Sequence, residues 1–105
     1  MAVLPIVRLG HPALRSPAEP VPEKRLAERP FQRLIDDMVE SMRDAHGVGL
    51  AAPQVGFGVQ LFVYEAEDPD EPGTGIPLRV VIDPIIEPQP GELVYDWEGC
   101  LSIPD

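Results

Sequence analysis

Two short stretches of this 105-residue chain carry the residue types that chemistry requires. The first, GVGLAAPQVG at residues 47–56, sets Gln54 among glycines and alanines. A bare backbone lets another chain lie close against it, and an amide side chain can donate a hydrogen bond to a carbonyl oxygen. We therefore interpret Gly49 as part of a shallow wall and Gln54 as a candidate oxyanion-hole donor. A glycine-rich bend with an exposed Gln54 is the alternative, because glycine patterns alone are weak signals.

The second stretch, WEGCLS at residues 97–102, holds the single cysteine of the chain, Cys100. A cysteine that follows a predicted strand and a glycine is open enough to present its sulfur as a thiolate metal ligand. The backbone N–H of Leu101 would point toward the same space. The alternative is that Cys100 is a small buried side chain, as most lone cysteines are.

Together, GVGLAAPQ and EGCLS resemble the first two motifs of the peptide deformylases, and LPIVRLGHPALRSPAEPV resembles their N-terminal lead-in. These enzymes are metallohydrolases that remove the formyl group from the N-terminal formylmethionine of newly made proteins. The resemblance covers essentially the whole chain. It implies that Cys100 binds the metal and that Gly49 lines the substrate cleft. It also implies that Gln54 and the N–H of Leu101 stabilise the formyl oxygen while a metal-bound hydroxide attacks the formyl carbon.

The same resemblance implies a substrate and a cofactor. The substrate is an N-formylmethionyl peptide, and the ribosome is a candidate partner. Val48 and Leu50 are candidates to border a pocket for the methionine side chain, although both could equally be internal. The implied cofactor is Fe²⁺, for which Zn²⁺, Ni²⁺ or Co²⁺ can substitute, because a thiolate with two imidazoles suits such ions.

The third motif of these enzymes, H-E-x-x-H on a helix, does not occur in this sequence. Its two histidines and its glutamate would complete the metal site. His11 and His46 do not replace them, because neither has a second histidine four residues away. We therefore expect residues 1–105 to be a single, incomplete peptide deformylase domain, truncated before the metal-binding helix and inactive by itself.

Other functions remain open from the residues alone. The chain could be a non-catalytic module that binds N-terminal peptides through Gly49 and Gln54, or a fragment that needs a complementary chain carrying the histidines. It could also be a cysteine hydrolase with Cys100 as the nucleophile and His46 as the base. Nothing in the sequence places an acid beside His46 to orient it.

The elements that would position these residues follow from the apolar pattern. Apolar side chains recur at helical spacing and predict one amphipathic helix at about 31–45: Phe31, Leu34, Ile35, Met38, Val39, Met42 and Ala45. Pro30 suits its first turn, and Gly47 suits a left-handed position after its end. Three segments are predicted strands: 59–64, 78–82 and 93–97. Elements in this order with short loops predict an α+β fold with antiparallel strands.

Composition narrows the partners and the location. The formal net charge is −10, and all of the excess lies in residues 65–105, where Arg79 is the one basic side chain. Such a surface repels nucleic acid and anionic membranes. A single cysteine fits a reducing compartment, and the first twelve residues do not have a signal-peptide pattern. We expect a cytoplasmic protein without nucleic-acid or membrane partners, and a monomer rather than an oligomer.

Overall fold

A computed structural model describes residues 2–67, 70–71, 73–91, 93, 96 and 98–103 of the chain. The described helices are α1, Pro12–Arg15, and α2, Arg29–Asp44. Two 3₁₀ turns accompany them, Glu23–Arg25 before α2 and Ala52–Val55 further along. None of the helices in the described part is long and apolar enough to cross a membrane.

Three strands form one antiparallel sheet in the order β1–β2–β3. Their bounds are Gly49–Ala51, Leu61–Ala66 and Ile76–Ile82. Leu50 lies opposite Val63, and Val63 lies opposite Val80, so these side chains share one face of the sheet. Helix α2 packs against this face over β1 and β2. The predicted α+β class with antiparallel pairing is confirmed.

Helix α2 is the predicted amphipathic helix, and it begins two residues earlier and ends one residue earlier than expected. Pro30 is its second residue, where a missing N–H leaves no hydrogen bond unmade. The buried side of the helix includes Phe31, Met38 and Met42. Ser41 is also buried, and its hydroxyl donates to the carbonyl of Asp37 and accepts the N–H of Leu4.

The end of α2 differs from the prediction. We expected Gly47 to take the left-handed conformation, but His46 takes it, with φ of 56°. The His46 N–H donates to the Arg43 carbonyl at 3.1 Å, and the Gly47 N–H donates to the Met42 carbonyl at 2.9 Å. These two bonds are those of a Schellman motif, which satisfies the last carbonyls of a helix. In this motif the left-handed residue is the one that directly follows the C-cap Ala45. That residue is His46, one position before Gly47.

Two of the predicted strands are confirmed with shifted bounds. The predicted 59–64 begins at Leu61 because Val59 instead makes an isolated parallel bridge to Glu19. The predicted 78–82 begins earlier, at Ile76. Of the predicted 93–97, three residues lie outside the described part, and Leu93 and Asp96 are not in a strand.

The core lies between α2, β1, β2 and the 3₁₀ turn that follows β1. Nine apolar side chains are buried there: Val21, Phe31, Met38, Met42, Leu50, Ala52, Val55, Leu61 and Val63. Strand β1 was not predicted, because its sequence of glycine, leucine and alanine has no strand pattern of its own. It exists through its pairing with β2, and it ends directly before Gln54's turn.

Candidate active site

Gln54 is held by backbone groups on both sides of its turn. It lies in the 3₁₀ turn Ala52–Val55, which Gly56 closes with φ of 87°. The N–H of Val7 donates to the Gln54 carbonyl at 2.7 Å, so the N-terminal segment fixes its backbone. The N–H of Ala51 donates to its side-chain Oε1 at 3.0 Å. Since Oε1 is occupied in this way, Nε2 must face the opposite side.

On that opposite side lie two side chains of the EGCLS stretch, those of Cys100 and Ser102. Gln54 Nε2 donates to Ser102 Oγ at 3.2 Å and lies 3.7 Å from Cys100 Sγ. Ser102 is 3% exposed, so its hydroxyl is a fixed partner, whereas Cys100 is exposed. The stretches GVGLAAPQVG and EGCLS therefore meet. The alternative that Cys100 is a buried apolar side chain is wrong.

The segment that carries Cys100 is positioned by contacts with two distant parts of the chain. The N–H of Leu9 donates to the Ser102 carbonyl at 2.9 Å. The side chain of Leu101 lies against the backbone of Gly47, where an added Cβ would come within 2.7 Å of Leu101 Cδ1. The absence of a side chain at Gly47 thus lets the Cys100 segment pack closely against the end of α2.

A cavity of about 490 Å³ opens where these segments meet. Its lining includes most of the predicted site: His46, Gly47, Val48, Gly49, Gln54, Gly99, Cys100 and Leu101. This volume lies within the range of about 300–1,000 Å³ that is typical of small-ligand clefts. The structure therefore brings the predicted site residues together, with Leu50 as the exception.

Val48 and Leu50, the two candidates to border a methionine pocket, lie in different environments. Val48 is 69% exposed and borders the cavity. Leu50 is 2% exposed and belongs to the core, because its side chain faces Val63 under α2. Between them, Gly49 borders the cavity with its backbone. Leu50 is therefore an internal residue and does not border the cavity.

Strand β1 presents an open backbone edge in the described part of the sheet. The N–H of Glu65 donates to the Val48 carbonyl at 3.0 Å, which makes Val48 a hydrogen-bonded position of the β1–β2 ladder. Such positions alternate along antiparallel strands, so the N–H and C=O of Gly49 point away from β2. Ala51 obeys the same alternation, since its N–H donates to Gln54. The edge therefore offers the backbone groups of Gly49 to a ligand.

One residue of this region, Ser102, was not predicted as a member of the site. Ser102 anchors Gln54, and its position two residues after Cys100 was the available signal. His46, which the sequence offers as the base of a cysteine hydrolase, borders the cavity because the Schellman motif turns the chain there. Within the described residues, no hydrogen bond joins His46 to Cys100.

An exposed ion pair lies next to the cavity. Arg43, in the last turn of α2, donates from Nε to Glu65 Oε1 at 2.6 Å and from Nη2 to Oε2 at 3.0 Å. These hydrogen bonds lower the pKa of the Glu65 carboxyl and raise that of the Arg43 guanidinium. The pair connects the helix end to β2 beside the stretch 46–48.

Comparison with known proteins identifies the family. A sequence model of the family described as polypeptide deformylase matches residues 3–105. The chain belongs to the peptide deformylase family. The peptide deformylase of Leptospira biflexa is 45% identical over 107 residues, which cover 99% of this chain and 60% of that protein. Peptide deformylase 2 of Pseudomonas putida is 44% identical over 101 residues, which cover 94% and 57%. The chain thus spans about three fifths of these deformylases.

Solved deformylase structures confirm the fold. The Met-Ala-Ser complex of the class I type b peptide deformylase from Acinetobacter baumannii has a TM-score of 0.86 and 32% identity to this chain. The match covers 99% of this chain and 67% of that one. The Synechococcus elongatus peptide deformylase in complex with actinonin has a TM-score of 0.78 and 40% identity, covering 96% and 50%.

Deformylases are metal-dependent enzymes, so the donor set is informative. Cys100 is exposed on the cavity and fits one thiolate position. Catalytic sites for such ions normally use three protein ligands. Among the residues that the structure describes, no group of three or more His, Cys, Asp and Glu side chains could hold a metal ion. The described residues therefore fit one ligand position and do not form a complete metal site.

Proposed function

We propose that this chain forms the substrate cleft and the thiolate position of a peptide deformylase, which removes the formyl group from the N-terminal formylmethionine of new proteins. Residues 1–105 are, in this proposal, one part of a single deformylase domain. The observation that carries the proposal is the 3.7 Å distance between Gln54 Nε2 and Cys100 Sγ. It puts an oriented amide donor beside the sulfur at the mouth of one cavity.

Gln54 is the donor to the formyl oxygen. The Ala51 N–H holds Oε1, and Ser102 Oγ accepts one Nε2 proton. The other Nε2 proton is directed toward the space beside Cys100 Sγ, where a formyl oxygen would receive it. The donor is in place before the substrate arrives, so little reorganisation is needed when negative charge develops on that oxygen. Removing a donor of this kind costs roughly 2.7–4 kcal/mol of transition-state stabilisation.

The peptide lies along the open edge of β1. Gly49 pairs with the substrate backbone through its N–H and C=O, in the manner of an extended peptide added to a sheet edge. Val48 offers an apolar surface to the methionine side chain, and the N–H of Leu101 is the second donor to the formyl oxygen. The Met-Ala-Ser complex of the Acinetobacter relative supports a peptide that begins with methionine.

Cys100 provides one ligand for the metal, which we propose is Fe²⁺, with Zn²⁺, Ni²⁺ or Co²⁺ as substitutes. When bound, the metal supplies Lewis acidity at the formyl group. Two histidine ligands must be added to the described residues. We therefore expect the isolated chain to hold no stoichiometric iron, nickel or zinc at micromolar metal, as measured by metal analysis after gel filtration. Tight one-to-one metal binding would contradict this.

The functional test measures hydrolysis of formyl-Met-Ala-Ser. The chain is assayed with and without Fe²⁺, and with and without the portion of the Leptospira biflexa deformylase that this chain does not match. We expect hydrolysis when Fe²⁺ and the Leptospira biflexa portion are both added, and no hydrolysis when either is added alone. Cys100→Ser should lower the rate at least about a hundredfold, because a metal ligand is lost, while Ser16→Ala, at an exposed serine outside the cavity, should not. Absence of hydrolysis in the complete mixture would contradict the proposal.

A thiol hydrolase is the second candidate, because His46 and Cys100 border the same cavity. In that reaction His46 takes the proton of the Cys100 thiol and the sulfur attacks the formyl carbon. The C–N bond then breaks, the peptide amine leaves with that proton, and water hydrolyses the S-formyl cysteine to formate and the free thiol. Alkylation of Cys100 in metal-free buffer distinguishes the two functions. Hydrolysis by the metal-free chain that alkylation abolishes would establish the thiol reaction, and its absence supports the deformylase.

We also propose a cytoplasmic location and a monomeric protein, with the ribosome as a candidate partner. The single cysteine suits a reducing compartment, and a net charge of −10 opposes self-association. The same charge opposes direct contact with nucleic acid or anionic lipid.

A further inference from the structure

Residues 46–48 form one border of the candidate active site and also line a second, neighbouring cavity of about 580 Å³. Gln54 and Cys100 border the first cavity, and Arg43 and Glu65 border the second. The 46–48 segment therefore lies between the site of the proposed reaction and the Arg43–Glu65 ion pair. A displacement of this segment would change the shape of the peptide cleft.

The 46–48 segment has little packing of its own. His46 is exposed and holds φ of 56°, Gly47 has no side chain, and Val48 is 69% exposed. A left-handed conformation at a residue with a Cβ persists only where surrounding contacts hold it. The hydrogen bonds at the two ends of the segment must therefore hold it in place, together with the contact of Leu101 on Gly47.

Glu65 of β2 makes hydrogen bonds at both ends of the segment. Its backbone N–H donates to the Val48 carbonyl at 3.0 Å. Its carboxylate accepts from Arg43 Nε at 2.6 Å and from Nη2 at 3.0 Å, and the Arg43 carbonyl accepts the His46 N–H at 3.1 Å. Paired hydrogen bonds from a guanidinium to a carboxylate fix direction as well as distance. One strand residue thus fixes the chain before and after the left-handed turn.

We propose that Arg43 and Glu65 are positioning residues for peptide binding, because their ion pair keeps the 46–48 segment in the conformation that leaves the Gly49 edge open to the peptide. Arg43 and Glu65 are not among the described residues that line the candidate active site, so they act through the segment and not by contact. The inference rests on the proposed function, since it concerns the same peptide. Without the pair the segment samples other conformations, and the apparent Kd rises as the binding-competent fraction falls.

The test is a calorimetric titration of the full chain with formyl-Met-Ala-Ser amide, a peptide without charge. Glu65→Gln and Arg43→Met should each raise Kd about two- to fivefold, the range expected for an exposed but bidentate pair. The double variant should raise Kd no further than the larger single effect, because both substitutions remove the same interaction.

Two matched controls separate position from charge. Glu67→Gln removes the same charge from a residue that also lines the second cavity but is not in the ion pair, and Arg33→Met removes an exposed arginine from the same helix. Both should leave Kd unchanged. Amide hydrogen exchange at Gly47, whose N–H donates to the Met42 carbonyl, reports on the segment without any peptide. It should be faster in Glu65→Gln and unchanged in Glu67→Gln.

Several outcomes would overturn the positioning role. They are an unchanged Kd in both single variants, additive effects in the double variant, or an equal rise of Kd in Glu67→Gln. Faster exchange at Gly47 with an unchanged Kd would also overturn it, because the pair would then be structural only. No peptide binding by the unsubstituted chain, with faster Gly47 exchange in Glu65→Gln, would count against the proposed function and leave the effect of the pair on the segment intact. Equal exchange in Glu65→Gln and Glu67→Gln would overturn that effect.

Discussion

At the scale of single residues, the hydrogen bonds of Gln54 connect the two sequence motifs. Gln54→Met keeps the side-chain length but removes the bonds to Ala51 and Ser102, and it leaves the buried Ser102 hydroxyl without its donor. We expect a loss of about 1–3 kcal/mol in the free energy of unfolding, measured in urea. We also expect at least a tenfold weaker affinity for formyl-Met-Ala-Ser.

The matched control is Gln60→Met. Gln60 Nε2 donates to the Ala18 carbonyl at 3.0 Å, and Gln60 does not border the cavity. This variant should lose stability but keep the peptide affinity. Equal affinities of the two variants would contradict the role of Gln54.

Gly49 gives a second prediction at this scale. A Cβ added there would lie 3.6 Å from the Val63 carbonyl oxygen, which is an ordinary contact, so the fold tolerates Gly49→Ala. A methyl group on the substrate wall should nevertheless weaken formyl-Met-Ala-Ser binding about tenfold or more, as measured by calorimetry. Gly58→Ala, with open space around its Cβ, is the control. An unchanged affinity in Gly49→Ala would show that no peptide backbone approaches Gly49.

Residue types identified most of the candidate site, and geometry was needed for the rest. A lone cysteine and an amide among glycines are unusual enough to attract attention, and the structure puts Gln54 and Cys100 in one cavity. The sequence did not show whether the Leu50 side chain faces the cavity or the core. The register of β1 on β2, which sets Leu50 opposite Val63, decides that it enters the core. Ser102 was missed because its role depends on the distance between its hydroxyl and the Gln54 amide, which the sequence does not show.

At the scale of elements, the end of α2 carries a conformational cost. His46 adopts φ of 56°, which disfavours residues with a Cβ. We expect His46→Gly to raise the free energy of unfolding by about 1 kcal/mol. Gly47→Ala should lower it only slightly, because the new Cβ would lie 2.7 Å from Leu101 Cδ1 and the flexible end of that side chain would turn away. Thermal unfolding of both variants checks this, and a destabilised His46→Gly would mean that the imidazole has a structural role at the helix end.

The Arg43–Glu65 pair between α2 and β2 predicts a pH dependence. Its hydrogen bonds lower the pKa of Glu65 in the folded protein, so the pair stabilises the fold above the ordinary carboxyl pKa. That contribution is lost as pH falls through the lowered folded pKa. Glu65→Gln should therefore lower Tm at pH 7, by a few degrees at most because the pair is exposed, and have little effect near pH 2.

Glu67→Gln is the control for that comparison. Glu67 follows β2 and is not a member of the Arg43–Glu65 ion pair, so its neutralisation should leave Tm nearly constant at both pH values. A Glu65→Gln effect of equal size at both pH values would contradict the ion-pair explanation.

Elements with a strong local pattern were predictable, and those made by tertiary pairing were not. The 3.6-residue repeat and Pro30 were sufficient to find α2 within two residues of its bounds. Strand β1 is three residues long and depends on β2 for its hydrogen bonds. The left-handed residue after α2 is chosen by which carbonyls the Schellman motif satisfies, so His46 took the place expected for Gly47.

At the scale of the whole molecule, the chain combines a formed cleft with an incomplete metal site. The cleft is built from the N-terminal segment, the end of α2, β1 and the Cys100 segment, which contact one another through Val7, Leu9 and Leu101. Among the described residues, no group of three or more His, Cys, Asp and Glu side chains could hold a metal ion. Peptide binding by this chain should therefore be separable from hydrolysis.

The most direct test of the central claim is an NMR titration of the ¹⁵N-labelled chain with formyl-Met-Ala-Ser. We predict saturable shifts of the Gly49 and Leu101 backbone N–H signals and of the Gln54 side-chain amide. The Gly58 signal, outside the cavity, should remain in place. Shifts that avoid all three cavity groups, or no shift at millimolar peptide, would contradict the assignment of this cavity as the formyl-peptide site.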